Sequence, residues 1–207
     1  IEGSDETIAD KKNGLKGGFS VAGVAAFIIA YFAVQFLMSN GKPNIEKLKD
    51  EFKAEFSASA VGATIRENFP EDYANGVASV SALLDDKTLD KRLLGQKAAK
   101  VLADIRVKYS RYAGRASDAS LRKVLESYVA MLDATKSLMN EESCSKMAGQ
   151  GPVAFVGQTL PDGVFAAIDN GGAATMKAMA EGRANPVNRK AATQADFDEL
   201  TAAMRSA

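Results

Sequence analysis

Lys97, Lys100, Lys108, Arg111 and Arg115, with Asp104 between Lys100 and Lys108, fall at three- and four-residue steps, the spacing that lines side chains along one side of a helix. Between residues 91 and 123 there are ten basic side chains (Lys91, Arg92, Lys97, Lys100, Arg106, Lys108, Arg111, Arg115, Arg122 and Lys123) and two acids, Asp104 and Asp118. Elsewhere the charges offset this excess, since the chain holds 26 basic and 26 acidic residues. A stripe of this kind does electrostatic work. It can hold an acidic protein surface or anionic lipid headgroups. The competing reading is a solvated helix face, because Lys and Arg are ordinary exposed helix formers. The neutral total argues against a general nucleic-acid binder.

Catalytic chemistry finds little to work with. The chain has no histidine, which removes imidazole bases, His-based triads, imidazole metal sites and His ligation of haem. Its one cysteine, Cys144, follows Glu141 and Glu142. Those carboxylates disfavour a thiolate, so Cys144 reads as a structural or incidental thiol. The glycine-rich stretches "GQGPVAFVGQT" and "DNGG" (residues 169–172) match neither a P-loop nor G-x-G-x-x-G, and both read as turns. Adjacent acids at 85–86, 141–142 and 198–199 diverge by roughly 100° on a helix and do not form natural catalytic pairs. The expectation is a non-enzymatic protein without a metal or haem site. The cofactor question stays open, and the composition is compatible with a bound lipid.

The elements that would position the stripe begin with an apolar run. Residues 17–41 carry no charge. Phe19–Met38 would rise ~30 Å as a helix, about the hydrocarbon thickness of a bilayer. A signal peptide would be shorter and would end in a small-x-small cleavage site. The reading is therefore an uncleaved single-pass transmembrane helix, with residues 1–16 as a short extramembrane tail. Gly18, Ala22, Ala26 and Ala30 fall at every fourth position. They form a smooth strip suited to close packing against another transmembrane helix. Lysines flank the run on both sides, so orientation is weakly determined. The expected arrangement places the large domain on the periplasmic, lumenal or intermembrane side.

Beyond the run the chain reads as all-α. Residues 42–140 are expected to form a helical bundle. One helix follows Pro43, capped by Asn44, with Ile45, Leu48, Phe52 and Phe56 on its inner face. A second follows Pro70, with Val77, Val80 and Leu84 inward. Residues 89–139 predict an αα-hairpin. Leu94, Ala98, Val101, Ile105, Tyr109 and Tyr112 line its first helix, and Leu121, Leu125, Tyr128, Leu132, Thr135 and Met139 its second. The short "GRASD" turn joins them, with Gly114 as a left-handed cap and Ser117 as an N-cap. Residues 141–207 predict an irregular connection. It would carry an extended piece at 153–156 and short helices at 163–169, 173–181 and 194–205, with Thr193 and Asp196 as a capping box.

These features together predict a non-catalytic single-pass subunit of a larger integral-membrane assembly. Its partners would be other transmembrane subunits and the lipid membrane. One anchor plus a helical extramembrane domain is also the plan of accessory subunits in respiratory, photosynthetic and secretion assemblies, an analogy of architecture alone. The alternative is a freestanding anchored module whose bundle binds a small ligand or lipid.

Overall fold

Asn44 opens the first helix as its position suggests. Its Oδ1 accepts from the backbone N–H of Glu46 and Lys47, at 3.1 and 3.2 Å. The computed structural model describes residues 44–86, 91–155, 158–190 and 193–206. The elements are α1 (Ile45–Ala58), α2 (Ala60–Asn68), α3 (Pro70–Asp85), α4 (Lys91–Ala113), α5 (Asp118–Leu138), α6 (Glu141–Gln150), a 3-10 turn (Pro152–Phe155), α7 (Asp162–Ala184) and α8 (Gln194–Ser206). Among the described residues there is no strand, and no helix is long and apolar enough to cross a membrane. The expected span at 17–41, with Gly18, Ala22, Ala26 and Ala30, lies outside the described residues.

Local signals explain most boundaries. Ser59 is extended and breaks α1 from α2, and its Oγ accepts from Gly62 N–H at 3.0 Å. Pro70 starts α3, where a missing N–H costs nothing, and Glu71 and Asp72 suit the positive end of the helix. Thr193 and Asp196 cap α8 reciprocally: Asp196 Oδ2 accepts from Thr193 N–H at 2.6 Å, and Thr193 Oγ1 accepts from Asp196 N–H at 3.3 Å.

Two apolar clusters form the core. The first gathers Phe52, Phe56, Val61, Ile65 and Phe69 with Val80, Ala98, Ile105 and Tyr109, closed by Met176 and Met179. Phe52 stacks on Phe56 and Phe56 on Tyr73, with centroids 5.7 and 5.4 Å apart, and Phe69 meets Tyr109 at a tilt with 4.1 Å between centroids. The second cluster joins Met131, Met147, Phe155, Leu160, Val164 and Ile168. α7 supplies both clusters, its first half to the second and its last half to the first, and Phe165 touches each.

This corrects the reading of residues 141–207 as irregular. α6 is a regular helix, capped by Asn140 Oδ1 on Ser143 N–H at 2.8 Å and ended by Gly151 at φ 71°. Residues 153–156 are not an extended piece; Pro152–Phe155 is a 3-10 turn. The "DNGG" stretch is not a turn but the middle of α7, which runs unbroken through both expected short helices. Gly172, Ala173, Thr175, Ala178, Ala180 and Gly182 are buried there. Their small side chains let α7 lie close to several neighbours at once, and that packing outweighs the helix cost of glycine.

The αα-hairpin also needs correction. α4 and α5 are joined by the expected short turn, yet each packs along α7 rather than along the other. α7 fills the wedge between them, and Gly182 sits directly under the turn. Gly114 does not adopt the left-handed conformation; Gly151 is the glycine with positive φ among the described residues. α4 instead closes with short bonds from Arg115 N–H to Tyr112 O and from Ala116 N–H to Ala113 O. Ser117 caps α5 as expected, accepting from Ser120 N–H at 3.3 Å. The inward set of α4 is as expected for Leu94, Ala98, Ile105 and Tyr109. On α5 the buried positions are Met131 and Thr135, while Leu125, expected inside, is 65% exposed.

Candidate functional site

The basic stripe of α4 does not act as a unit. Lys97 is exposed. Lys100 pairs with Asp104, one turn on, at 2.6 Å, and both are well solvated, so the pair contributes little. Lys108 is turned to a structural task. Its Nζ donates to Asp72 Oδ1 at 2.7 Å, while Tyr109 OH donates to Asp72 Oδ2 at 2.5 Å. Arg111 lies over its neighbour Tyr112, its guanidinium 4.8 Å from the ring centroid, and donates to the phenol oxygen. Arg115 is exposed on the turn. Of the five, Arg111 and Arg115 are brought together at one end of the bundle, and Lys97 and Lys100 lie toward the other.

Asp72 joins the start of α3 to the end of α4. Burial alone would raise its pKa, but the hydrogen bonds from Lys108 and Tyr109 and the charges of Lys108 and Arg183 outweigh burial and leave it below the usual carboxylate value. A lowered carboxylate stabilises the fold above its ordinary pKa and loses that contribution as pH falls through the lowered value. Lys108 shifts upward because of its bond to Asp72, so its share is lost on the alkaline side. Asp72→Asn is therefore expected to destabilise the chain at neutral pH, with the gap to wild type closing below about pH 4. Urea unfolding at stepped pH checks this; a gap constant down to pH 2 would count against the pairing. Arg183 completes the joint. It lies 4.7 Å from the Phe69 centroid and 5.2 Å from that of Tyr109, and its Nη2 donates to Asn68 O at 2.9 Å.

A second joint straps the chain after α7 onto the α4–α5 turn. Val187 N–H donates to Arg115 O at 2.8 Å. Arg189 Nη1 donates to Gly114 O and Ala116 O, at 2.9 and 2.6 Å, and its Nη2 pairs with Asp118. A distant arginine thus satisfies carbonyls that the end of α4 leaves open. On the next turn of α5, Ser120 Oγ donates to Glu181. Its hydrogen bonds to Ser120 and Ser117, with the nearby Lys123, hold Glu181 below the usual carboxylate range.

These contacts assemble a basic pole that the sequence did not show. Arg183, Arg189 and Lys190 come to the same end as Arg111, Arg115, Arg122 and Lys123, from about seventy residues further along the chain. None of the ion pairs among the described residues engages Arg111, Arg115, Arg122 or Lys123. The chain matches no family model, no curated protein and no solved structure. The pole's chemistry therefore rests on its own residues. Among the described residues no group of three or more His, Cys, Asp or Glu is placed to hold a metal ion. Cys144 is a free, half-buried thiol on α6. Arg106 keeps its Nε buried without a hydrogen-bond partner, and burial lowers its pKa to about 10, which leaves it charged at neutral pH.

The sequence reading also missed Leu125 and Val129 as surface residues. They are 65% and 55% exposed, one turn apart on the same side of α5. The apolar periodicity there was real, but α7 covers the neighbouring Met131–Thr135 side instead.

Proposed function

We propose that this chain is a non-catalytic, single-pass subunit of a larger integral-membrane assembly. Residues 17–41 dock laterally against other transmembrane subunits, and the helical domain covers or bridges partners on one membrane face. One observation carries the reading. The polar side chains that could do chemistry, Asp72, Tyr109, Asp169, Glu181 and Arg189, are engaged in joints between helices, while unpaired arginines and exposed aliphatics collect on the outside. Such a division suits a protein that holds others in place. The small-residue strip of the apolar run supports lateral docking in lipid.

Extraction of source membranes in mild detergent followed by native electrophoresis tests this. The chain should migrate far above its own 21.9 kDa. Migration at the monomer's mass, under conditions that keep neighbouring complexes intact, would overturn the proposal.

A further inference from the structure

We infer that the outer strip of α5, Leu125 and Val129 with Arg122 beside them and Arg115 at its end, is the seat for an acidic amphipathic helix of a partner protein. The inference deepens the proposed function and rests on it for the presence of a partner.

Two independent observations converge on this strip. The first is apolar. Single exposed aliphatics are normal on any protein surface. Leu125 and Val129 are instead stacked at an i, i+4 spacing, with the half-buried Leu121 and Leu132 along their margin. That is the pattern by which one helix receives another through i, i+3, i+4 anchors. The second observation is charge. Arg122 stands three residues before Leu125 and shares its side of the helix. Arg111, Arg115, Lys123 and Lys190 are exposed around the same end of α5. Of the nearby acids Asp118 is committed to Arg189 and Glu181 to Ser120, and the exposed Glu126, one turn on from Arg122, still leaves the five basic side chains in excess. An occupant that brings carboxylates would meet the guanidinium groups of Arg115 and Arg122, which none of the ion pairs among the described residues engages and which can take a carboxylate in bidentate fashion. From Asp118 to Val129 the seat is ~17 Å long, about three turns of a partner helix.

The strip also lies away from the point where the chain enters the bundle. Lys49 pairs with Asp85 at 2.7 Å, which sets the start of α1 beside the end of α3. Lys108 pairs with Asp72 at 2.7 Å, which sets the end of α4 beside the start of α3. The chain therefore enters at one end of α3, and the basic pole lies at the other. α3 has 16 residues, or ~24 Å of rise. Exposed charges act over only ~8 Å at physiological salt, so the pole and the chain's point of entry are electrostatically separate, and the adduct formed at position 125 decides between a protein and a lipid.

The test places a photo-reactive benzoylphenylalanine at Leu125 of the full chain in its native membranes. A matched probe at Val107, 65% exposed on α4, serves as control. After irradiation the adducts are mapped by mass spectrometry. The expected adduct from position 125 is a segment of another protein, with carboxylates in excess and apolar residues at helical spacing. Arg115→Glu together with Arg122→Glu should lower its yield about ten-fold at low salt and less at high salt. If that variant loses helicity, Lys123→Glu with Lys190→Glu gives the same reading. An adduct to lipid, to a second copy of this chain or to a segment without acidic excess would overturn the inference. So would a yield at 125 no greater than at 107, or a yield indifferent to charge reversal. A chain that migrates in a large assembly yet fails these tests sinks the seat alone, whereas migration as a monomer sinks the proposed function itself.

Discussion

Replacing Gly182 by alanine is expected to lower the melting temperature of the full chain by roughly 6–12 °C, from a loss of about 3 kcal/mol or more. A Cβ at this position would stand 2.1 Å from Tyr112 O, 2.8 Å from Ala116 N and 3.0 Å from Arg115 C. All three are backbone atoms, so no rotamer change relieves the clash. The turn itself is held on its outer side by Arg189 and Val187, and cannot lift without breaking those bonds. Any relief must therefore shift α7 away from α4, and with it Met176 and Met179 in the first core. Gly149→Ala is the control. Nothing lies within 4 Å of its added methyl group, and alanine is the better helix former, so stability should hold or rise slightly. Thermal unfolding followed by circular dichroism reads both. Equal melting temperatures for wild type and Gly182→Ala would mean that the turn is not seated on α7 as described.

That glycine also shows where sequence reasoning stopped. α1 and α4 were legible because each buries one face of large apolar residues against a core: Leu48, Phe52 and Phe56, then Leu94, Ile105 and Tyr109. The caps at Asn44, Ser117 and Thr193 were legible because a cap is a local event, complete within four residues. α7 was not. Half of its buried positions are glycine or alanine, which carry a weak hydrophobic signal and, in "DNGG", the composition of a turn. What makes this segment helical is the shape of the space among α2, α4 and α5, and that information is spread across distant parts of the chain. The inversion of Leu125 has the same origin. A periodic apolar face says that a helix will be covered, but the width of the cover depends on a neighbour forty residues away.

The candidate site was half legible for a related reason. Arg111 and Arg115 stand in a visible stripe, but Lys108 in the same stripe is drawn into the fold by Asp72, thirty-six residues earlier. Arg183, Arg189 and Lys190 join the pole only because α7 returns its end to the α4–α5 turn. A reversal of Lys100, Lys108 and Arg111 together would therefore confuse binding with folding, since Lys108 bridges two helices. Arg115 and Arg122 are the cleaner choice, being exposed and outside the ion pairs described.

Asp169→Ala is expected to cost about 2–3 kcal/mol by uncapping α2 from a distance. Asp169 sits in the middle of α7, and its two carboxylate oxygens accept from Ala60 N–H at 2.6 Å and Val61 N–H at 2.9 Å. With Ser59 Oγ on Gly62 N–H, these bonds satisfy donors that a helix start leaves open. Val61 is fully buried, so water cannot readily replace the lost acceptor. Alanine would leave donors unpaired at the joint between α2 and α7. Asparagine keeps one acceptor oxygen and should lose roughly half as much. The pH dependence distinguishes this joint from that at Asp72. Burial raises the Asp169 pKa more than the two backbone bonds lower it. A carboxyl whose folded pKa lies above its unfolded value carries a cost when ionised, and that cost is relieved as pH falls through the raised value. Wild type should therefore gain stability relative to Asp169→Asn on mild acidification, in the window just above the ordinary carboxylate pKa. Relative to Asp72→Asn it should lose stability on going lower. Denaturant unfolding of the three proteins from pH 7 to pH 3 reads both trends. Curves for the Asp72 and Asp169 variants that run parallel throughout would show that burial does not govern the carboxylate on α7.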